Sequence, residues 1–292
     1  MRLSLLSLSI ATLAASVATT VAEAQLKTPA RSPHITVTQQ VGVGEMVLDY
    51  SRPSVRGREV FGDLEPWGAV WRTGANASSK ITFDQDATVG GESVKAGTYA
   101  IYTIPKKDAD WTFILSKDTG LWGASGYDPA NDALRLEIKP TMLASVHETL
   151  TIDFDGFNAN GANLFIAWDK VHLSVPIVVD TDTAVLQQID EQVRNAKGEV
   201  KARTYYDAAM FMMNKKEGLE EAAVWMDKAN EMRPGVFYMM YQQANLANMM
   251  GDTAKAKRVG MAALEAAKKA KASDAGDFGY SDRIQKFLDA LK

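Results

Sequence analysis

The chain has 292 residues, 46% of them hydrophobic and 23% charged, with a formal net charge of −4. That is enough apolar chain for one large or two ordinary domains, and the balance argues against a nucleic-acid-coating role, which calls for a basic face. Cysteine is absent, which excludes disulfides, thiolate metal sites, a thiol nucleophile and a lipidated cysteine.

Residues 1–24 read as a secretory signal peptide. Arg2 is the positive start, Leu3 to Val21 is apolar with Ser and Thr interspersed, and Ala22-Glu23-Ala24 is a small-x-small cleavage site. Cleavage is expected between Ala24 and Gln25, giving an exported protein. No later segment is long and apolar enough to predict a transmembrane span. Residues 25–33 hold two prolines and little apolar content, and read as a flexible lead-in.

From His34 the pattern turns to period two. Strands are predicted at Ile35-Val37, Met46-Leu48-Tyr50 and Ile81-Thr82-Phe83. Gly90-Gly91 is a hairpin signal between Ala87-Thr88-Val89 and Ser93-Val94. Further strands are predicted at Thr98 to Ile104, Trp111 to Leu115, Leu134-Leu136-Ile138, Leu150-Ile152-Phe154, Leu164 to Trp168 and Val171 to Ile177. Gly, Asp and Asn turns join them, which predicts an antiparallel β-sandwich or jelly-roll-like domain over residues 25–180. Two long loops interrupt it. The first, Tyr50 to Ser78, carries Pro53, which excludes a regular central strand there. The second runs from Gly120 to Asp132.

At Asp180 the character changes. Asp180-Thr181-Asp182-Thr183 offers helix N-caps, and Ala, Met, Lys and Glu then dominate. Ten of the 13 Met lie between Met210 and Met261, which marks a second, α-helical domain at 181–292. Asn214, Ala222 and Ala229 recur 34 residues later as Asn248, Ala256 and Ala263, and 34 is the tetratricopeptide period. Residues 200–271 therefore resemble tetratricopeptide repeats, with helices near 184–196 and 280–291 as caps. The overall expectation is β + α, a sandwich followed by a tetratricopeptide-like tail. Such tails hold protein or peptide partners, an analogy from fold alone. The Met-rich helices read first as core, because Met fills irregular gaps.

Ser51-Arg52-Pro53-Ser54-Val55-Arg56-Gly57-Arg58, Phe61-Gly62, Pro66-Trp67-Gly68 and Val70-Trp71-Arg72-Thr73-Gly74-Ala75-Asn76 resemble an exported bacterial family, the domain of unknown function 2911. Val94 to Tyr99, Trp122-Gly123-Ala124, Tyr127-Asp128 and Trp168 to Pro176 are similar to it as well, so the resemblance spans residues 34–180. It implies a β-rich domain in the periplasm of a Gram-negative bacterium, and it implies no activity.

Four of the six Arg in residues 25–180 fall between 52 and 72. Arg keeps its charge and grips carboxylate or phosphate with two donors, and Trp67 and Trp71 can stack on planar or sugar-like faces. A small anionic or sugar ligand is therefore expected at a pocket lined by Arg52, Arg58, Trp67, Trp71, Arg72, Asn76, Trp122, Tyr127 and Asp128. The competing reading has Arg52, Arg58 and Arg72 bonding loop carbonyls and Asp63 or Glu65, with the loop purely structural. The glycines of the first loop lack phosphate-loop spacing. His34, His147 and His172 lack metal-ligand spacing, and neither metal nor cofactor is expected. Asp84 with Asp86 and Asp153 with Asp155 read as surface pairs. The leading expectation is an exported binding protein rather than an enzyme. An envelope hydrolase acting on carbohydrate or peptide through His147, Asp128 or Glu148 is one alternative, and a structural envelope protein is the other.

Overall fold

The computed structural model describes residues 26, 28–273 and 276–291, so the expected signal peptide and its cleavage point at Ala24 and Gln25 lie outside the described residues. The chain is β-rich in its first part and helical in its second.

Among the described residues ten strands run as β1 (His34–Val41), β2 (Gly44–Ser51), β3 (Ser79–Phe83), β4 (Ala87–Val89), β5 (Glu92–Val94), β6 (Gly97–Ile104), β7 (Trp111–Ser116), β8 (Asp132–Ile138), β9 (Thr141–Asn158) and β10 (Gly161–Val179). All pairings are antiparallel. Six strands form one sheet in the order β1-β2-β3-β6-β7-β8, and four form a second in the order β5-β4-β10-β9. Alternation supplies the inner faces. Leu48, Ile81, Ile101, Phe113 and Leu115 of the first sheet share one buried cluster with Leu150, Ile152, Leu164, Ile166, Val175 and Ile177 of the second. β7 is buried at every position. Its outward Ile114, with Ala100 and Tyr102 of β6, is covered by Val70, Leu121, Ala124 and Tyr127 from the two long loops.

The strands expected at 164–168 and 171–177 are one element. Asp169 adopts φ 52°, and register shifts flank it, so β10 bends there without breaking. A straight strand of this length would span roughly 60 Å, yet a Cβ added at Gly161 would overlap the Ile177 carbonyl oxygen. The Val179 amide bonds the Asn160 carbonyl at 2.7 Å. The strand curls until its two ends meet.

Asp180 caps α1 (Thr181–Ile189) by accepting from the Thr183 amide at 3.0 Å, as its sequence expects. A π-helical turn (Asp190–Arg194) follows, then α2 (Ala202–Lys215), α3 (Leu219–Met232), α4 (Phe237–Met249), α5 (Thr253–Lys271) and α6 (Tyr280–Ala290). Neighbours α2 and α3, and α4 and α5, pack as successive pairs. The recurring Ala222 and Ala256, and Ala229 and Ala263, are fully buried, where a small side chain lets helices approach closely. Lys255 ion-pairs with Asp227 at 2.8 Å, and Gln243 donates to the same carboxylate at 2.7 Å, so α3, α4 and α5 meet at one residue. Among the described residues no helix is long and apolar enough to cross a membrane.

Candidate functional site

β9 is the edge strand of the smaller sheet, and its free edge is where the arginine-bearing loop is anchored. The buried Tyr50 hydroxyl donates to the Ile152 carbonyl at 2.8 Å and accepts from the Ile152 amide at 2.9 Å. The Leu150 amide donates to the Pro53 carbonyl, and the Val55 amide to the Glu148 carbonyl. Arg52 donates from Nε to the Leu150 carbonyl and from Nη2 to Thr151 Oγ1, both at 2.9 Å. Proline offers no N–H, but only its carbonyl is needed here. Residues 50–55 thus stand in for a fifth strand and satisfy an edge that would otherwise be open.

The chain then turns through Arg56 and Gly57, both with positive φ. The Arg56 amide bonds Glu148 Oε1, and its Nη2 donates to the Arg31 carbonyl. Arg58 folds back onto the Val55 and Ser54 carbonyls. Arg52, Arg56 and Arg58 therefore do bond loop or strand carbonyls.

Arg72 is held differently. Trp71 and Thr103 exchange two backbone bonds of 2.8 and 2.9 Å, and the Trp71 indole N–H donates to the Gly74 carbonyl. Thr73 follows at φ 52°, a conformation a β-branched residue rarely adopts. The bond from Ser79 Oγ to the Thr73 carbonyl at 2.7 Å and the contact between the Thr73 and Thr103 hydroxyls at 3.2 Å hold it there. Arg72 Nε is buried without a partner, and Nη1 lies near Gly123 of the second long loop.

These two anchored segments border an open cleft of about 460 Å3 lined by Arg31, Arg56, Arg58, Arg72, Glu65 and Trp168, with Pro53, Ser54 and Leu64 among its other walls. Among the described residues none of the four arginines makes an ion pair. Trp168 is 1% exposed, stacks on Trp71 at 5.5 Å, and has an unpartnered indole N–H. Glu65 is the carboxyl in the lining. Burial pushes its pKa up from 4.5 to about 7, against the opposing pull of Arg72 and then Arg58. The cavity therefore presents an excess of positive charge, and its one acid can hold or release a proton near neutrality.

The structure brings together Arg58 and Arg72 of the expected site residues and scatters the rest. Arg52 faces the β9 edge. Trp71 is core, 2% exposed. Asn76 donates to Ser51 Oγ at 3.2 Å. Trp67 lines a different cavity, beside Trp111. Trp122 is 73% exposed and bridges to Ala77. The Tyr127 hydroxyl donates to the Asp132 carboxylate, and burial, then that carboxylate, pushes its pKa up to about 12. Asp128 caps the short 3-10 turn at Pro129–Asn131. Of the alternative acid/base residues, His147 bonds Thr151 Oγ1 at 2.8 Å, and Glu148 accepts the Arg56 amide; neither lines the cavity. Among the described residues no group of three His, Asp or Glu is arranged to hold a metal.

Sequence reasoning left Arg31, Arg56 and Trp168 out of the site and weighed Glu65 only as an ion-pair partner. Arg31 sits in the stretch read as a flexible lead-in. Trp168 carried a signal, being a bulky aromatic at the end of an apolar alternation, just before the bend at Asp169. Nothing local marks Glu65, because its character comes from burial beside arginines distant in sequence.

Comparison with curated proteins returns no match. A family model described as a protein of unknown function (DUF2911) matches residues 32–177, half of the chain. It takes in the loops that build the cavity and all but the last two residues of β10, and it stops before the helices. The chain belongs to the DUF2911 family of proteins of unknown function.

Proposed function

We propose that this is an exported ligand-binding protein whose β-rich part holds a small anion, a carboxylate or phosphoryl compound, in the cavity between Arg58 and Arg72. The observation that carries this reading is four guanidinium groups, none with an ion pair among the described residues, lining one open cleft. Arg72 is the part-buried one of the four and Arg31, Arg56 and Arg58 are open to solvent at the rim, and guanidinium geometry matches carboxylate and phosphate. The two unpartnered donors, Arg72 Nε and Trp168 Nε1, and the strained Thr73 beside Arg72 support it, because such features gather at working sites. The helical part is read with it as a tetratricopeptide-like repeat for a protein or peptide partner, supported by the buried alanines at 34-residue spacing.

The test is thermal unfolding of the full chain with phosphate, sulfate, citrate, nucleotides or neutral sugars. A ligand at 100 times its Kd adds about 2.7 kcal/mol to the stability of the state it binds. An anion is expected to raise Tm by several degrees, and a still-folded Arg72→Ala is expected to lose that shift. No shift with any anion, with Arg72→Ala melting well below wild type, makes the loop structural.

Glu65 gives the hydrolase alternative a new candidate. A carboxyl with pKa near 7 facing an arginine in a cleft is a suitable general acid or base. Substrate turnover abolished in Glu65→Gln, with anion binding retained, is the result that favours it.

A further inference from the structure

The first long loop serves a second cavity, and its chemistry differs from the first. This space, about 430 Å3, lies between Trp67, the β6–β7 turn from Lys106 to Trp111, and Lys139, Pro140, Met142 and Val171. It shares no lining residue with the arginine cavity. Its size falls within the roughly 300–1,000 Å3 of small-ligand sites.

Two features point to its ligand. The first is an apolar surface left open: Trp67 is 39% and Met142 67% exposed, beside buried Trp111 and Val171. An indole open in part to water offers a flat, amphipathic surface. The second is the balance of the polar rim. Lys106 is held by Glu137 at 2.6 Å. Lys107, Lys139, Asp108 and Asp110 make no ion pair among the described residues, so two donors and two acceptors remain with opposite charges that cancel. Such a rim exerts no net pull on either sign of charge and suits a ligand with many hydroxyls, each both donor and acceptor.

The surface is also built. The Gly68 amide bonds the Pro105 carbonyl at 2.7 Å. The Trp111 indole N–H donates to the Lys106 carbonyl at 3.1 Å. Trp67 lies against Gly62, which has no side chain to displace it, and packs edge-on to Trp111 at 6.4 Å between ring centres. Preorganised aromatic surface loses little freedom on binding.

We propose that this second cavity binds a neutral sugar ring, stacked on Trp67 and hydrogen-bonded by Lys107, Lys139, Asp108 and Asp110. It stands independently of the anion reading, since it uses none of the same residues.

The test is retention of the full chain on an array of immobilised neutral and acidic glycans, followed by titration of the best free oligosaccharide. The expected result is binding of a neutral glycan, at least ten-fold weaker in Trp67→Ala and several-fold weaker in the exposed pair Lys139→Ala with Asp110→Ala. Those two positions are on the surface, so this double variant keeps the test valid if Trp67→Ala does not fold. Retention of no neutral glycan by folded wild type overturns the proposal. So does equal binding by the variants, or binding confined to sulfated and carboxylated glycans.

Discussion

With its pKa pushed up to about 7, the Glu65 carboxyl sits close to its own midpoint at neutral pH, and the guanidinium groups of Arg31, Arg56, Arg58 and Arg72 share its cavity. The sign of the consequence follows from proton counting. Between pH 4.5 and 7 the native state holds a proton that the unfolded chain has released, so stability falls as pH rises through this window. The contribution is complete below about pH 4.5 and lost above about pH 7. A shift from 4.5 to about 7 corresponds to about 3 kcal/mol at most. Urea unfolding at pH 5 and pH 8 should show this loss in wild type and a smaller one in Glu65→Gln. The same proton affects binding. An ionised Glu65 competes with an anion for Arg72, so anion affinity should weaken as pH rises through 7, and Glu65→Gln should flatten that dependence in calorimetric titrations. A slope unchanged by the substitution would assign the effect to another group.

Among the elements, the edge of β9 shows how a loop without regular structure is held in place. Tyr50 satisfies both backbone groups of Ile152 with one hydroxyl, tying β2 of the larger sheet to β9 of the smaller. Tyr50→Phe keeps the ring in the core and leaves a buried N–H and a buried C=O without partners. Each such group costs about 1–3 kcal/mol, so denaturant unfolding should register a loss of about 2–6 kcal/mol with the fold intact. A change within error would mean that water replaces the hydroxyl.

The strands themselves were legible because their alternation is local: Met46-Leu48-Tyr50 bury the residues their pattern promises, whereas β7 is buried on both faces and its alternation did not foretell the cover over Ile114. The stop at Pro53 was legible too, as was the cap at Asp180. The continuity of β10 was not. Asp169-Lys170 breaks the apolar alternation and reads as a turn, whereas the paired strand absorbs it as a bend. The site was half legible. Arg58 and Arg72 converge because two separate rails, β9 and Thr103, carry their loops. Nothing in a run of residues from 50 to 78 says that Trp67 will be turned toward the β6–β7 hairpin while Arg72 is turned away from it.

For the whole molecule, the two parts meet chiefly where β10 runs into α1. The Thr181 hydroxyl donates to the Ala159 carbonyl at 2.8 Å, and Gly42 lies against Val179 and Thr181. Their hydrophobic clusters are separate. Calorimetry of the full chain should therefore give two transitions, of which an anion shifts only the one belonging to the β-rich part. A single transition moved as a whole would mean that the parts are energetically coupled through that short junction.

The curl of β10 also bears on how quickly the chain can find its structure. Meeting end to end, Gly161 and Ile177 close a loop of only about sixteen residues, and β9 joins β10 through a tight turn. Both closures are cheap in chain entropy beside the pairing of β10 with β4, which brings Ile177 to Val89 from far along the chain. Folds rich in short-range contacts reach their native state faster than those built on distant pairings. The β9–β10 hairpin is thus closed locally although it comes last in the β-rich part, and during synthesis the six-stranded sheet emerges before the hairpin that covers its inner face.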